Sequence, residues 1–344
     1  MSRTDAGNAL VFKPTRACPA RCDFCCDPTE RAPERLHRSV MLDLVEQVAT
    51  AVPGLISIIG FTGGEPFLVF DDIFAVLERA STHGMSGAVV SSSHWAHDAS
   101  TARARLAALA TVGLQRYATS CDHEHLRFVP LERIRHAVSA ALELGLTVTV
   151  TGTFAQPGQQ VAPLLGADLA AQVQCENKLI APYGRASGQT ATVQHYGLQA
   201  ELAQWGCYRR WGHDILVQPN GDVLPCCSTN NTINPLIFGN VCHGDPLTDI
   251  VTAITHSFLL RILKFESFAL LRELVARHVS TADWPAPTSA SGPCGYCAQL
   301  FSDTQRTARI LHALAQEQPH YLRQLLAQAE LPTATVETLT AYPS

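Results

Sequence analysis

Three cysteines near the start of the chain have a spacing that suits an iron–sulfur cluster. They are Cys18, Cys22 and Cys25, in the pattern CxxxCxxC. Three thiolates so close in sequence can bind three irons of a cubane and leave the fourth iron open. A structural zinc site is the alternative, but it normally has four ligands, usually in two CxxC-like pairs. The adjacent Cys26 is a poor fourth ligand, because neighbouring residues seldom reach the same metal.

Four further cysteines form a second group in the C-terminal half of the chain. Cys207 is followed by Gly221 and Cys226 in the pattern C-x13-G-x4-C, and Cys294 and Cys297 form a CxxC pair. Four thiolates complete one [4Fe–4S] cluster with no open iron. A zinc site built from four cysteines has the same ligand count, so the count alone leaves both metals open.

Five cysteines remain once these seven are assigned, and Cys227 is the most informative because it adjoins Cys226. Neighbouring side chains of an extended segment point to opposite faces. If Cys226 faces a metal cluster, the Cys227 thiol can therefore face away from that cluster and remain a free thiol. The alternative role is that of a small buried hydrophobic residue, the usual one for such a thiol. The other surplus cysteines are Cys26, Cys121, Cys175 and Cys242.

A third constellation is the segment Cys121-Asp-His-Glu-His125, which has the composition of a metal box. In a strand, His123 and His125 would share one face. No third ligand has the spacing of a zinc site, so we expect these residues to line a substrate pocket instead.

These residues must be positioned by an alternating α/β fold. From residue 9 to about residue 181, short β-branched runs alternate with longer amphipathic segments. Near-continuous apolar runs such as 55–61 are expected for parallel strands covered on both faces. Six βα repeats predict a partial (β/α)6 TIM-like barrel, with function at the C-terminal ends of its strands. The predicted strands are 9–13, 55–61, 87–91, 114–120, 146–154 and 174–181, and the predicted helices are 40–52, 71–82, 98–111, 130–144 and 161–171.

The remainder of the chain has a different pattern. A hairpin is predicted over 211–225, with Asn220-Gly221 as its turn. Helices are predicted at 246–264 and 267–279, and two more follow the CxxC pair. The predicted domains are the barrel at 1–190, a small hairpin-plus-helices iron–sulfur domain at 191–301, and C-terminal helices at 302–344.

Composition excludes several classes of protein. The net charge is −5, with 25 basic and 30 acidic side chains, which argues against nucleic-acid binding through a positive field. No run of eighteen apolar residues is present, so no membrane span is expected. Residues 1–8 are polar and lack the apolar region of a signal peptide, which predicts a cytoplasmic protein without a disulfide framework.

The first cysteine motif and a second motif resemble the signature of the radical S-adenosylmethionine (SAM) superfamily. CxxxCxΦC, with Phe24 as the aromatic residue, follows the first predicted strand, and the FTGGEP segment at 61–66 resembles the family's GGEP motif after the second. The resemblance implies that the three cysteines hold a SAM-binding [4Fe–4S] cluster and that GGEP holds the methionyl amino group. Glycines let backbone carbonyls approach an ammonium, and a carboxylate adds negative charge. The implied cofactor-binding residues are Phe24, Gly63, Gly64, Glu65, Pro66, Ser91, Ser120, Asp122 and Arg185.

The second cysteine group resembles the SPASM/Twitch extension of radical SAM enzymes. This resemblance implies that Cys207, Cys226, Cys294 and Cys297 bind one auxiliary [4Fe–4S] cluster. The cysteines are too few for the two auxiliary clusters usual in a full SPASM extension, so a Twitch-like domain is expected.

The stretches CDFCC, FTGGEPFL, GDVLPCCS and CGYCAQLF are similar to those of radical SAM peptidyl epimerases that act on ribosomally made peptides. That similarity implies reductive cleavage of SAM to a 5′-deoxyadenosyl radical and removal of an α-hydrogen from an L-residue. A cysteine thiol then returns hydrogen from the other face, which gives the D-residue. By motif position, Cys227 is the expected donor and Asp214 a polar residue that positions or tunes it. One departure is Ser-Ser-His-Trp at 92–95, where the family usually has Asn-Gly.

Other activities remain open on the same scaffold. They are peptide cross-linking or dehydrogenation with the auxiliary cluster as electron acceptor, and modification of a sugar or small natural product. The expected partners are a precursor peptide or small natural-product substrate and an electron donor of the flavodoxin or ferredoxin type. A non-enzymatic cysteine–zinc interaction protein is the alternative from a different class, but nothing in it requires a GGEP motif after the second strand.

Overall fold

The computed structural model describes residues 8–26, 34–156, 158–180, 184–188, 205–207, 212–226, 236–286 and 293–328. These residues form two compact units. The first unit contains the described residues up to 188 together with 212–226 and 236–253, and the second contains 205–207, 254–286 and 293–328. The domain boundaries expected at 190 and 301 stay a prediction.

The first unit is built on one open sheet of nine strands in the order β6-β5-β4-β3-β2-β1-β7-β8-β9. Strands β1 to β7 pair in parallel, and β8 and β9 continue the sheet antiparallel. The strands are β1 Asn8–Phe12, β2 Ile56–Phe61, β3 Ser86–Ser91, β4 Leu114–Ser120, β5 Thr147–Phe154, β6 Gln174–Leu179, β7 Asp214–Val217, β8 Asp222–Leu224 and β9 Gly239–Asn240. Six parallel βα repeats confirm the predicted α/β fold class.

Helices connect the parallel strands and also build the second unit. Short 3₁₀ helices at Pro66–Val69, His125–Arg127 and Gly184–Gly188 follow β2, β4 and β6. The α-helices are α1 Arg38–Ala51, α2 Phe70–Thr82, α3 Ala99–Thr111, α4 Leu131–Glu143, α5 Val161–Leu165, α6 Ala167–Ala170, α7 Leu247–His256, α8 Phe258–Phe265, α9 Phe268–Ala276, α10 Pro293–Phe301 and α11 Thr304–Gln328.

Two segments predicted as single helices are each divided by a local signal. Gly166 has φ +99° and separates α5 from α6 within 161–171. Ser257 separates α7 from α8 because its side chain accepts a hydrogen bond from the Leu260 amide and caps a new helix. The CxxC pair, expected before two terminal helices, lies inside α10 and is followed by α11.

The sheet of the first unit has two different faces. On the helix face, side chains approach so closely that a Cβ at Gly87 would lie 2.7 Å from Leu77 of α2, and one at Gly152 would lie 2.7 Å from Val161 of α5. The opposite face, which we call the inner face, carries Val11 in an apolar cluster that extends from β1 to β8. The other members of that cluster are Ala9, Ile58, Leu216 and Leu224, with Ala88 packed against them.

The second unit is a small helical assembly with its own buried core. Tyr296 of α10 is fully buried, and its ring contacts those of Phe268 and Trp205. Glu317 of α11 accepts hydrogen bonds from Arg277 at 2.9 Å and His278 at 2.7 Å, just after the end of α9. These contacts join α9, α10 and α11.

Within the described ranges, no helix is both long and apolar enough to cross a bilayer.

Candidate active site

One pocket at the C-terminal ends of β1 to β4 brings the first cysteine motif and the GGEP segment together. Cys18, Cys22 and Cys25 line it with Gly63 and Gly64. Three further residues implied by the family resemblance, Phe24, Ser91 and Ser120, also line it. Three described lining residues were not predicted: Ala20, Thr62 and Val90. Ser92 also lines the pocket, and it belongs to the segment after the third strand, where the family resemblance implies cofactor contacts. The last lining residue, His125, comes from the Cys121–His125 segment, which was expected to line a substrate pocket.

The two glycines are needed because their loop packs directly against the cysteine loop. A Cβ on Gly64 would lie 2.2 Å from the carbonyl oxygen of Ala17, and one on Gly63 would lie 2.4 Å from Cγ of Lys13. Gly63 also has φ +123°, a conformation that favours glycine. The Gly64 amide donates to the Thr15 carbonyl at 3.0 Å. The glycine pair therefore fixes the cysteine loop against β2, a role that the motif alone did not indicate.

Glu65 is fully buried beside this pocket, and both of its carboxylate oxygens are occupied. One oxygen accepts hydrogen bonds from the Phe67 amide at 3.0 Å and Ser91 Oγ at 2.8 Å. The other accepts from the Ser92 amide at 2.7 Å and Ser92 Oγ at 2.5 Å, with His94 Nδ1 3.6 Å away. Burial raises the pKa of Glu65, but His94 and the Ser92 donors outweigh it, and the pKa lies below the usual 4.5. Glu65 thus ties the loop after β2 to the end of β3.

The Ser-Ser-His-Trp segment after β3 folds into a turn that is held by buried hydrogen bonds. Ser93 has φ +63°, a left-handed conformation that is costly for a residue with a side chain. Its hydroxyl pairs with Tyr117 Oη and Thr119 Oγ1, each at 2.7 Å, and Trp95 Nε1 donates to Ser91 Oγ at 2.9 Å. This network sets the position of Ser91 and Ser92 in the pocket wall.

Asp122 is also buried, and it orients His125 toward the pocket. One carboxylate oxygen accepts the His125 amide at 2.9 Å, and the other lies 2.8 Å from His125 Nδ1 and accepts the Thr153 amide at 3.0 Å. A carboxylate can only accept, so Nδ1 carries the proton and Nε2 is left as an acceptor in the neutral ring. The His125 ring lies 5.5 Å from that of Phe24, whereas His123 packs edge-on against Phe154. The two histidines therefore have different surroundings, and the metal box does not form.

The three loop cysteines suit a cubane better than a single metal ion. No three His, Cys, Asp or Glu side chains among the described residues converge on one ion position. In a cubane each cysteine binds a different iron, so the thiols need only surround a shared pocket, as these do. Burial, together with the nearby thiols and carboxylates, raises the pKa of Cys18 and of Cys22 to about 12. A metal cation would therefore be needed to hold these thiols as thiolates.

Arg185 and its neighbour Gly184 support the cysteine loop from the end of β6. The Arg185 amide donates to the Cys25 carbonyl at 3.0 Å, and its guanidinium lies 3.5 Å from the Cys22 carbonyl. Gly184 has φ +58°, and a Cβ there would lie 2.3 Å from the Cys25 oxygen. Contact of Arg185 with the SAM carboxylate stays a prediction. Of the implied cofactor-binding residues, those that do not line the pocket are Glu65, Pro66, Asp122 and Arg185.

Only one residue of the expected hydrogen-donor pair belongs to the described part of the chain. Cys227 lies outside the described residues. Asp214 is the first residue of β7 and pairs with Ala9, whereas Val217 at the end of β7 pairs with Phe12. Because β1 and β7 are parallel, Asp214 lies at the opposite end of the strands from the cysteine pocket. The antiparallel pairing of Leu216 with Leu224 directs the chain after β8, where Cys226 lies, toward the Asp214 end of β7. A role for Asp214 beside Cys227 stays a prediction.

Three of the four expected auxiliary ligands lie in two segments that meet in the second unit. Cys294 and Cys297 are one turn apart in α10, so their side chains share one side of the helix. Tyr296 lies between them in the sequence, and its ring contacts that of Trp205 at a centroid distance of 5.8 Å. Trp205 is two residues before Cys207. Cys226 follows β8 in the first unit.

Comparison with known proteins agrees with these motifs. Residues 12–166 match the model of the radical SAM superfamily, and residues 207–262 match that of the SPASM iron–sulfur cluster-binding domain. The chain is 22% identical over 303 residues to YydG of Bacillus subtilis (strain 168), whose name assigns it to peptide biosynthesis. That match covers 84% of this chain and 90% of YydG.

A solved structure with a TM-score above 0.5 shows the same fold. Native anSMEcpe with bound AdoMet and Cp18Cys peptide superposes with a TM-score of 0.52 at 11% identity, covering 90% of this chain and 96% of that one. BtrN in complex with AdoMet and 2-DOIA gives a TM-score of 0.48 at 15% identity, covering 75% and 87%.

The two matched domains imply SAM and [4Fe–4S] clusters, both SAM-binding and auxiliary, as cofactors. The cysteine pocket fits the first of these groups in donor chemistry. The chain therefore contains a radical SAM domain followed by a SPASM iron–sulfur cluster-binding domain.

Proposed function

We propose that this enzyme converts an L-residue of a ribosomally made peptide into its D-form. The observation that carries the proposal is the pocket in which Cys18, Cys22, Cys25 and the glycine pair meet at the strand ends. The choice of a peptide substrate is supported by the name of YydG and by the peptide bound in the anSMEcpe structure.

Different residues of the pocket would bind the cluster, position the cysteine loop and contact the bound molecules. Cys18, Cys22 and Cys25 would hold the cluster, and Gly63 and Gly64 keep their loop in place against β2. When bound, the cluster and SAM supply the radical that removes a hydrogen atom from the substrate. Ser120 offers a hydroxyl and His125 an imidazole to the bound molecules, and the Ser92 hydroxyl, which donates to Glu65, can still accept a hydrogen bond.

Epimerisation needs a hydrogen atom from the face opposite the abstraction, and we assign that donation to the Cys227 thiol. The S–H bond breaks and a new Cα–H bond forms, which leaves a sulfur radical on Cys227. One electron and one proton restore the thiol. A flavodoxin- or ferredoxin-type donor supplies that electron as well as the one that cleaves SAM, in the reducing environment expected of the cytoplasm.

The test is turnover by the anaerobic holoenzyme in deuterated water, with short synthetic peptides and with the peptide of any short reading frame beside the gene. Exchange of the thiol hydrogen predicts one deuterium at the α-carbon of a D-residue. Loss of two hydrogens from the product would instead indicate cross-linking or dehydrogenation. Turnover of a sugar but of no peptide would overturn the proposal.

Variants of the surplus cysteines identify the donor. Cys227→Ala is expected to cleave SAM yet release no epimer, while Cys175→Ala, the matched control, retains full activity. Cys121→Ala and Cys242→Ala test the two rival thiols. A fully active Cys227→Ala enzyme would remove that thiol from the mechanism. Iron analysis of the wild-type protein should give about eight irons for two cubanes.

A further inference from the structure

Strand β5 presents four threonines on the inner face of the sheet: the exposed Thr147 at its start, and three partly buried ones that follow toward the pocket. Thr149, Thr151 and Thr153 alternate with buried residues of the helix face. The parallel register pairs Thr151 with Ser120, which lines the cysteine pocket, so the row and the pocket share one face. The threonine row, as we call these three residues, leads directly to the reaction site.

The hydroxyls of this row are available for a ligand. Within the described part of the chain, Thr149 and Thr153 make no side-chain hydrogen bond, and Thr151 makes only a long one of 3.4 Å to Glu176. All three residues are partly exposed. Parallel sheets normally bury both faces. On β1, β2, β7 and β8 the inner face is buried by an apolar cluster. The polar, partly exposed inner face of β5 is therefore an exception, which a bound ligand would explain.

The spacing of the row matches the repeat of an extended peptide. Side chains two residues apart on a strand are separated by about 6.6 Å, so the three hydroxyls span about 13 Å. An extended peptide repeats its backbone N–H and C=O groups on one side at the same interval. A threonine hydroxyl can donate to a carbonyl or accept from an amide, so it suits either group. A single sugar ring is too short to contact all three.

The neighbouring charges also favour an uncharged ligand. On β6, Glu176 pairs in register with Thr151 and Lys178 with Thr153. Their side chains form an ion pair at 3.2 Å, so the surface on the β6 side of the row is polar but locally neutral. Such a surface suits a peptide backbone better than it suits a phosphate or a carboxylate.

We propose that Thr149, Thr151 and Thr153 bind the backbone of an extended substrate peptide and direct it along β5 to the cysteine pocket. This inference rests on the proposed function, in that it assumes a peptide substrate. It adds the surface that binds the peptide and the conformation in which the peptide is bound.

Substitution of valine for threonine tests the row, because it removes the hydroxyl and keeps the branched shape. Each single variant is expected to raise the KM for the peptide about 2- to 10-fold, the value of one hydrogen bond, with kcat and the KM for SAM unchanged. In the triple variant, the KM for the peptide should rise by the product of the three single-variant factors. Thr111→Val, on the outer helix α3, is the matched control and should leave every constant unchanged. Melting curves followed by circular dichroism check that the variants fold.

A backbone scan of the substrate gives an independent readout in binding. The probe is the synthetic peptide selected by turnover, with one amide at a time replaced by an ester, and its affinity for the SAM-loaded holoenzyme is measured by fluorescence anisotropy. Ester replacement is expected to lower the affinity at every second peptide position, and these decreases should be absent in the triple variant. Normal peptide affinity in the triple variant, or losses without a period of two, would overturn the threonine row while leaving epimerisation intact. If no peptide binds or turns over, both proposals fail.

Discussion

Replacing Glu65 by glutamine tests the argument that this carboxylate holds the end of β3 in place. Each of its oxygens accepts one backbone amide: Phe67 on one side and Ser92 on the other. A glutamine has only one carbonyl oxygen, so in either orientation its NH₂ group faces a backbone N–H. The serine hydroxyls can rotate and accept instead, but a backbone amide cannot.

The size of the effect follows from those contacts. One buried N–H is left unsatisfied, at a cost of about 1–3 kcal/mol, and the remaining hydrogen bonds lose the strength that the negative charge gives them. The free energy of unfolding should therefore fall by about 2–4 kcal/mol. The measurement is urea unfolding of the anaerobic holoenzyme at neutral pH, followed by circular dichroism.

The control for this experiment is Glu46→Gln, which makes the same chemical change on an exposed carboxylate. Glu46 pairs with Arg79 at 3.0 Å and His83 at 3.1 Å in solvent, where such pairs contribute little. Its unfolding midpoint should stay close to that of the wild type. If Glu65→Gln shifts the midpoint no more than Glu46→Gln does, the buried carboxylate does not hold the strand end, and the argument is refuted.

Two further substitutions test the packing of the cysteine loop and of the second unit. Gly64→Ala places a Cβ 2.2 Å from the Ala17 oxygen, so iron content should fall by about four of eight atoms, whereas Gly54→Ala, which meets open space, should retain its iron. Glu317→Gln should destabilise the protein at neutral pH by about 1–2 kcal/mol, because a buried carboxylate loses its charge beside His278. Burial raises the pKa of Glu317, but its donors lower it below 4.5 overall, so its stabilisation is lost as the pH falls through that range. Urea midpoints measured down to low pH should therefore depend less on pH in the variant, and an unchanged pH dependence would contradict this role.

The strands of the barrel could be predicted closely from the sequence because their signals are local. Apolar runs bounded by glycine turns predicted the observed limits of β4, 114–120, and placed β1, β2, β3, β5 and β6 within one or two residues at each end. The cysteine and glycine motifs were predicted to lie after consecutive strands. Because parallel strands end at the same edge of a sheet, their meeting in one pocket followed from the fold class.

Contacts that depend on register could not be predicted in this way. Asp122 reaches the Thr153 amide, 31 residues away, because β4 and β5 pair in one particular alignment. Asp214 was assigned by its position in a motif, which does not show at which end of a strand a residue lies. The Ser93 turn depends on hydroxyls of Tyr117 and Thr119 from the next strand, and no local pattern indicates them.

The two carboxylates expected to contact the cofactor share a structural task. Glu65 accepts the amides of Phe67 and Ser92, and Asp122 accepts those of His125 and Thr153. Each is fully buried, and each uses both oxygens to fasten the end of one strand to a neighbouring segment. Since unpaired buried amides are costly, these acids hold the pocket in one shape before any ligand arrives. Recognition is then left to groups that face the pocket: serine hydroxyls, the backbone of the glycine pair, and the imidazole nitrogen that the second carboxylate keeps ready to accept a hydrogen bond.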